Sequence, residues 1–125
     1  MSVEATQAAI ELENATEISP HRLISLLMQG VLERVEQAKT SIDQSNQDDL
    51  DIILPKIVNM ISALRQSLDF DQGGDLALNL DGLYEYMIDR VSDEPQDLNT
   101  DTFSEIAGLM DSVKDGWDQI SSVAA

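Results

Sequence analysis

Residues 73–87 read GGDLALNLDGLYEYM, and the way this stretch is parsed decides the fold. Gly73-Gly74 breaks the chain, and Asp75 is placed to act as the N-cap of the helix that follows. Beyond it Leu76, Leu80, Leu83, Tyr84, Met87, Ile88 and Val91 recur every three or four residues. That is the period of one helical face and not the alternation of a strand. Gly82 within the helix costs about 1 kcal/mol against alanine, and predicts close approach of a neighbouring helix or partner backbone.

Working outward, three more helices have the same signature. Ser19-Pro20 is a helix start, with Ser as cap and Pro at the first position, where its missing N–H would have no partner anyway. Leu23, Leu27, Val31, Val35, Ala38 and Ile42 then form a stripe, widened by Ile24, Met28 and Leu32, and Ser45-Asn46-Gln47 ends it. Asp48, Asp49 and Asp51 favour the positive end of a second helix dipole, whose stripe is Leu50, Ile53, Leu54, Ile57, Ile61, Leu64 and Leu68. Pro55 predicts that this helix begins close before it or bends there. After a polar break at Ser92–Asn99, Thr102 and Glu105 stand at capping-box spacing, with Leu98 as a staple. Phe103, Ile106, Met110, Val113, Trp117 and Ile120 make a heptad-like seam for shallow-angle packing. The expected architecture is all-α: an antiparallel up-and-down four-helix bundle over residues 19–123, preceded by residues 1–18 as a short N-terminal helix or mobile arm, in a single domain spanning 1–125.

Composition narrows the function. The chain has 125 residues, enough for one core, and no cysteine, so disulfides and thiolate metal sites are excluded. No apolar run approaches a membrane span, and the first residues carry glutamates without a basic leader, so no membrane insertion and a cytoplasmic location are expected. With 24 acidic residues against 7 basic ones, phosphate backbones are repelled and nucleic acid is not an expected partner. The charge serves solubility, or a field that keeps the protein dispersed while it holds an aggregation-prone client.

The residues supply no enzyme signature. His21 is the sole histidine, so a di-iron bundle, which needs two, is excluded. A histidine phosphotransfer-type signalling bundle is the alternative of a different class. Its histidine lies mid-helix with a lysine and a glycine close behind, whereas His21 sits in a first turn before Arg22-Leu23-Ile24 and is expected to face water. The string DFDQGGD, with Asp69, Asp71 and Asp75, lacks the closing bidentate Glu of a calcium loop and is assigned to a turn and a cap. Neither metal nor cofactor is expected.

Apolar surface is what remains. On a helical wheel Leu26 falls roughly 140° from the centre of its stripe, and Leu78 and Tyr86 roughly 130–150° from theirs. They are exposed apolar side chains of the ordinary kind, or they line outer grooves where an amphipathic client helix lies. Met28 and Met60 at stripe edges add adaptable thioethers, while Met87 and Met110 are core filler. With Ile10 from the arm, the candidate partner-binding set is Ile10, Leu26, Met28, Met60, Leu78 and Tyr86. A second copy of the chain meeting these leucines is a further alternative, and the expected state is a monomer or weak dimer.

From Ser19 to Ile120 the chain resembles one family, FliS, the flagellar export chaperones of bacterial flagellin. The resemblance rests on Ser19-Pro20 with Leu23-Ile24, Gly30, Leu68-Asp69, Gly73-Gly74, Asn79-Leu80, Leu83-Tyr84, Tyr86-Met87, Gly108-Leu109 and Trp117. It implies a four-helix bundle that binds the disordered C-terminal segment of flagellin, suppresses premature polymerisation without ATP, and docks at the flagellar type III export gate. Two features depart from the family pattern: residues 2–18 contain no aromatic, and Met28-Gln29 precede Gly30 where an aromatic and an acid are usual.

Overall fold

The computed structural model describes residues 19–93 and 97–124, with side chains as far as Ile120. Four helices follow one another: α1 Pro20–Asp43, α2 Gln47–Gln66, α3 Phe70–Val91 and α4 Thr100–Ala124. The described residues contain no strand. The N-terminal arm, including Ile10, lies outside the described residues.

Local chemistry sets each boundary. The Ser19 side chain accepts the Arg22 N–H, and Pro20 occupies the first turn of α1. Between α1 and α2 the chain reverses through Ser45, a non-glycine at φ 54°. Asn46 then caps α2, its side-chain oxygen accepting the Asp49 N–H at 3.1 Å while its amide donates to the Asp49 carboxylate at 2.8 Å. α2 runs through Pro55, which sits on an exposed face of the helix and removes one backbone donor there.

Two predicted caps are displaced. α3 begins at Phe70, and its cap is Asp69, which accepts the N–H groups of Asp71 and Gln72. Asp75 instead follows a kink at Gly74 inside the helix. At α4 the reciprocal pair is Asn99 with Thr102: the Asn99 side chain accepts the Thr102 N–H at 3.0 Å, and the Asn99 N–H reaches the Thr102 hydroxyl at 3.4 Å. Thr102 is therefore the third helical residue and not the cap, and Glu105 is left for another use.

α1 packs along both α2 and α4, and α2 packs against α3. Cross-helix pairs fix the antiparallel sense: His21 at the start of α1 meets Trp117 late in α4, Gly30 meets Met60, and Arg90 near the end of α3 meets Glu105 near the start of α4. The core is built from Met28, Val31 and Val35 of α1, Ile57, Ile61 and Leu64 of α2, Tyr84 and Met87 of α3, and Phe103, Ile106 and Met110 of α4. Each such side chain contributes roughly 1.5–3 kcal/mol by leaving water. Leu98 and Phe103, flanking the Asn99 cap, both join this core.

The expected stripes are not buried along their whole length. Leu23, Leu76 and Ile120 are exposed. All three lie at the end of the bundle where α1 and α3 begin and α4 finishes. α3 touches α4 only sparingly along their length, and at this end an apolar recess lies between them.

Candidate docking groove

The α3–α4 seam has two unlike halves. Towards the α3–α4 connection it is strapped shut by polar groups. The Tyr86 hydroxyl donates to Glu105 Oε1 at 2.8 Å, and Arg90 Nε donates to the same oxygen at 3.0 Å. A parallel tie joins α2 to α3, where Arg65 grips both oxygens of Asp81 at 2.5 and 3.2 Å. These pairs keep contact with solvent, the Arg65–Asp81 pair being half-buried, so they fix orientation more than they stabilise.

Towards the other end the seam opens into two apolar recesses. One, of about 270 Å³, is lined by Ile24, Met28, Leu68, Leu76, Leu80, Tyr84 and Trp117, with Asp69 and Gln72 at its rim. The second, of about 250 Å³, lies between Leu76 and Leu80 on α3 and Val113, Gly116, Trp117 and Ile120 on α4. Leu76, Leu80 and Trp117 belong to both, so the recesses form one groove with a shared wall. Such a surface suits the apolar face of an incoming helix.

Backbone chemistry keeps this half open. Gly74 sits at φ 52°, ψ −126°, a conformation essentially reserved for glycine, and it turns Phe70–Gly73 out of line with the rest of α3. On the facing helix Gly116 contributes no side chain, and nothing lies within 4 Å of where its β-carbon would stand.

Trp117 is held from the α1 side. Its indole stacks on the His21 ring with centroids 4.5 Å apart and planes within 1° of parallel. Trp117 Nε1 donates to the His21 carbonyl at 2.9 Å, and His21 Nε2 donates to the Trp117 carbonyl. His21 is thus half-buried and engaged, contrary to the expectation of a water-facing ring, and Nε2 is not free as a phosphoryl acceptor. One residue further on, Asp118 accepts from Lys114 Nζ at 2.7 Å and Ser25 Oγ at 2.6 Å, which together hold its carboxyl below the usual carboxylate range. Glu105 is lowered likewise, first by Arg90 and then by Tyr86, and the Tyr86 hydroxyl is raised by its bond to Glu105. Burial pushes the Tyr84 phenol up to about 12.

The sequence-derived candidates do not converge on this groove. Leu26, Leu78 and Tyr86 are exposed, at 49%, 60% and 42%, but none lines either recess. Met28 is only 1% exposed and forms the groove's floor, not an outer edge. Met60 is half-buried on the α1–α2 side, over Gly30. Gly82, expected at a close helix approach, has open space around it. Leu76, Leu80, Trp117 and Ile120 keep the period of the core stripe, and period does not distinguish a core position from the wall of an unfilled seam. The glycines at 73, 74 and 116 are the one sequence signal that marks the place.

Among the described residues no group of three or more His, Asp or Glu is placed to hold a metal ion, and no helix is long and apolar enough to cross a membrane. The family profile of the flagellar protein FliS matches residues 3–124. A flagellar secretion chaperone FliSB of Pseudomonas aeruginosa is 43% identical over 115 residues, covering 92% of this chain and 90% of that protein. The flagellar secretion chaperones FliS of Vibrio cholerae and Salmonella typhimurium are each 32% identical, over 82% and 94% of this chain and 75% and 89% of their own lengths. A helical bundle with an open apolar seam, matched to one family over nearly its whole length, belongs to the FliS family of flagellar secretion chaperones.

Proposed function

We propose that this chain is a cytoplasmic export chaperone for flagellin. It binds the disordered C-terminal segment of the client, which folds into amphipathic helices on contact. Apolar side chains that would join another flagellin are buried on the bundle instead, so filaments do not form before export. The complex then travels to the flagellar type III export gate. The observation that carries the reading is the Leu76–Leu80–Trp117 groove, an apolar seam that the described residues leave uncovered, in a chain of net charge −17. Coupled folding costs ordering entropy, so the client needs a wide apolar surface to offset it. Exposed Leu26, Leu78 and Tyr86 extend that surface beyond the groove.

Titration with a flagellin C-terminal peptide tests this, followed by far-UV circular dichroism and light scattering. The expected result is a complex of one protein and one peptide with more helix than the sum of its parts. Unchanged mass and helicity reject the proposal. A protein that scatters as a dimer on its own and dissociates at no peptide concentration favours a second copy of the chain as the groove's occupant.

A further inference from the structure

We propose that His21 is a positioning residue for client binding: it lines neither recess, yet it sets the orientation of Trp117, the wall that both recesses share. The inference rests on the chaperone reading above.

Two contacts from His21 hold the indole, and a third ties the backbone of the same residue. The stack fixes the ring plane, the His21 carbonyl receives the indole N–H, and His21 Nε2 ties the Trp117 backbone. The carbonyl contact survives any substitution at position 21, whereas the stack needs a flat ring there and the Nε2 bond needs a side-chain donor. Without the imidazole the indole keeps one hydrogen bond and can pivot about it. Its far face lines the apolar groove, where van der Waals contact alone opposes rotation. A pivot would swing the ring across the recess between Leu80 and Ile120 or out of it, altering both recesses at once. The neighbouring Ser25–Asp118–Lys114 contacts anchor α4 one residue on but do not touch the ring. His21 therefore acts on shape and not on the client directly, and a flat ring in its place should retain much of the effect.

Trp117 is the single tryptophan, so its emission reports the latch without a label. The wild type, His21→Ala and His21→Phe are compared by acrylamide quenching of that emission, by titration with the apolar dye ANS, and by titration with the flagellin C-terminal peptide. His21→Ala is expected to expose the indole to quencher and to weaken peptide binding by about tenfold, with far-UV circular dichroism unchanged. His21→Phe should recover most of the quenching protection and most of the affinity. Peptide affinity unchanged in His21→Ala despite an exposed indole overturns the proposal, as does an indole equally protected in both variants. If His21→Ala does not fold, His21→Gln, which keeps a donor but no ring, is measured in its place against the same expectations. A wild type that binds no flagellin peptide defeats the chaperone reading alone, since ANS affinity that follows indole protection across the series still supports His21 as the residue that shapes the groove, and ANS affinity that ignores it overturns that role.

Discussion

The methyl end of Met60 on α2 occupies the space that a β-carbon on Gly30 of α1 would take. The glycine lets two helices approach, and a flexible thioether fills the gap. Gly30→Ala forces Met60 to withdraw, which three rotatable bonds allow. It also gains up to about 1 kcal/mol of helix propensity. The two effects oppose each other, so Gly30→Ala is expected within about 1 kcal/mol of wild type. Gly30→Leu has no such outlet and should cost roughly 1–3 kcal/mol by overpacking. Urea denaturation of the two variants decides it; equal stability would show that α1 and α2 are not in close contact there.

Leu76 and Leu78 separate groove from general surface. Both are exposed, at 53% and 60%, and lie two residues apart on α3, but only Leu76 lines the recesses. Leu76→Asp is expected to weaken flagellin-peptide binding by tenfold or more, roughly 1.4 kcal/mol, with little change in melting temperature. Leu78→Asp should have a smaller effect. The reverse order, measured by calorimetric titration, would move the client to another face of the bundle.

The four helices are legible in the sequence because periodicity and the Ser19-Pro20 start are local signals. The displaced caps are not, because Asp69 and Asp75, like Asn99 and Thr102, are chemically equivalent candidates a few residues apart. What decides between the first two is the backbone at Gly74, whose φ of 52° no composition specifies. The groove is hidden for a related reason. Leu76 and Ile120 keep the core period but line a recess between α3 and α4, and how closely two helices pack is a tertiary property. His21 and Trp117 are 96 residues apart, and nothing in either neighbourhood names the other.

Tyr84 gives the stability an alkaline limit. Its phenol is buried and its pKa is raised from the ordinary 10.0 to about 12. The folded state therefore keeps a proton that the unfolded chain loses. The contribution is fully present below pH 10 and is lost as pH rises through about 12. A rise of that size corresponds to about 3 kcal/mol at most. Tyr84→Phe removes this titration, so the gap in denaturation free energy between variant and wild type should move in favour of the variant between about pH 10 and 12. A gap that stays constant with pH would place the Tyr84 hydroxyl in water.

Gly74 and Gly82 predict opposite signs for the same substitution. Neither has an atom within 4 Å of an added β-carbon, so packing plays no part in either. At Gly74 the backbone lies at φ 52°, ψ −126°, and alanine there should cost about 1–3 kcal/mol. Gly82 lies in the regular part of α3, where alanine should stabilise by up to about 1 kcal/mol. Thermal melts of both variants read the signs directly, and stabilisation by Gly74→Ala would mean that the kink at the groove's edge is not formed.

Gly116 offers the most direct test of where the client sits. It lies in the second recess facing Leu76 and Leu80, exposed and with open space around its Cα. Leucine at this position has room for its β-carbon and improves helix propensity by up to about 1 kcal/mol. Its side chain, however, would project into a recess of only about 250 Å³. Gly116→Leu is therefore expected to leave the fold as stable as wild type or more so, while lowering flagellin-peptide affinity by about tenfold or more. Loss of stability would indicate that α3 closes on α4 in solution. Unchanged affinity in a stable variant would leave the second recess outside the binding surface and confine the client to the one floored by Met28.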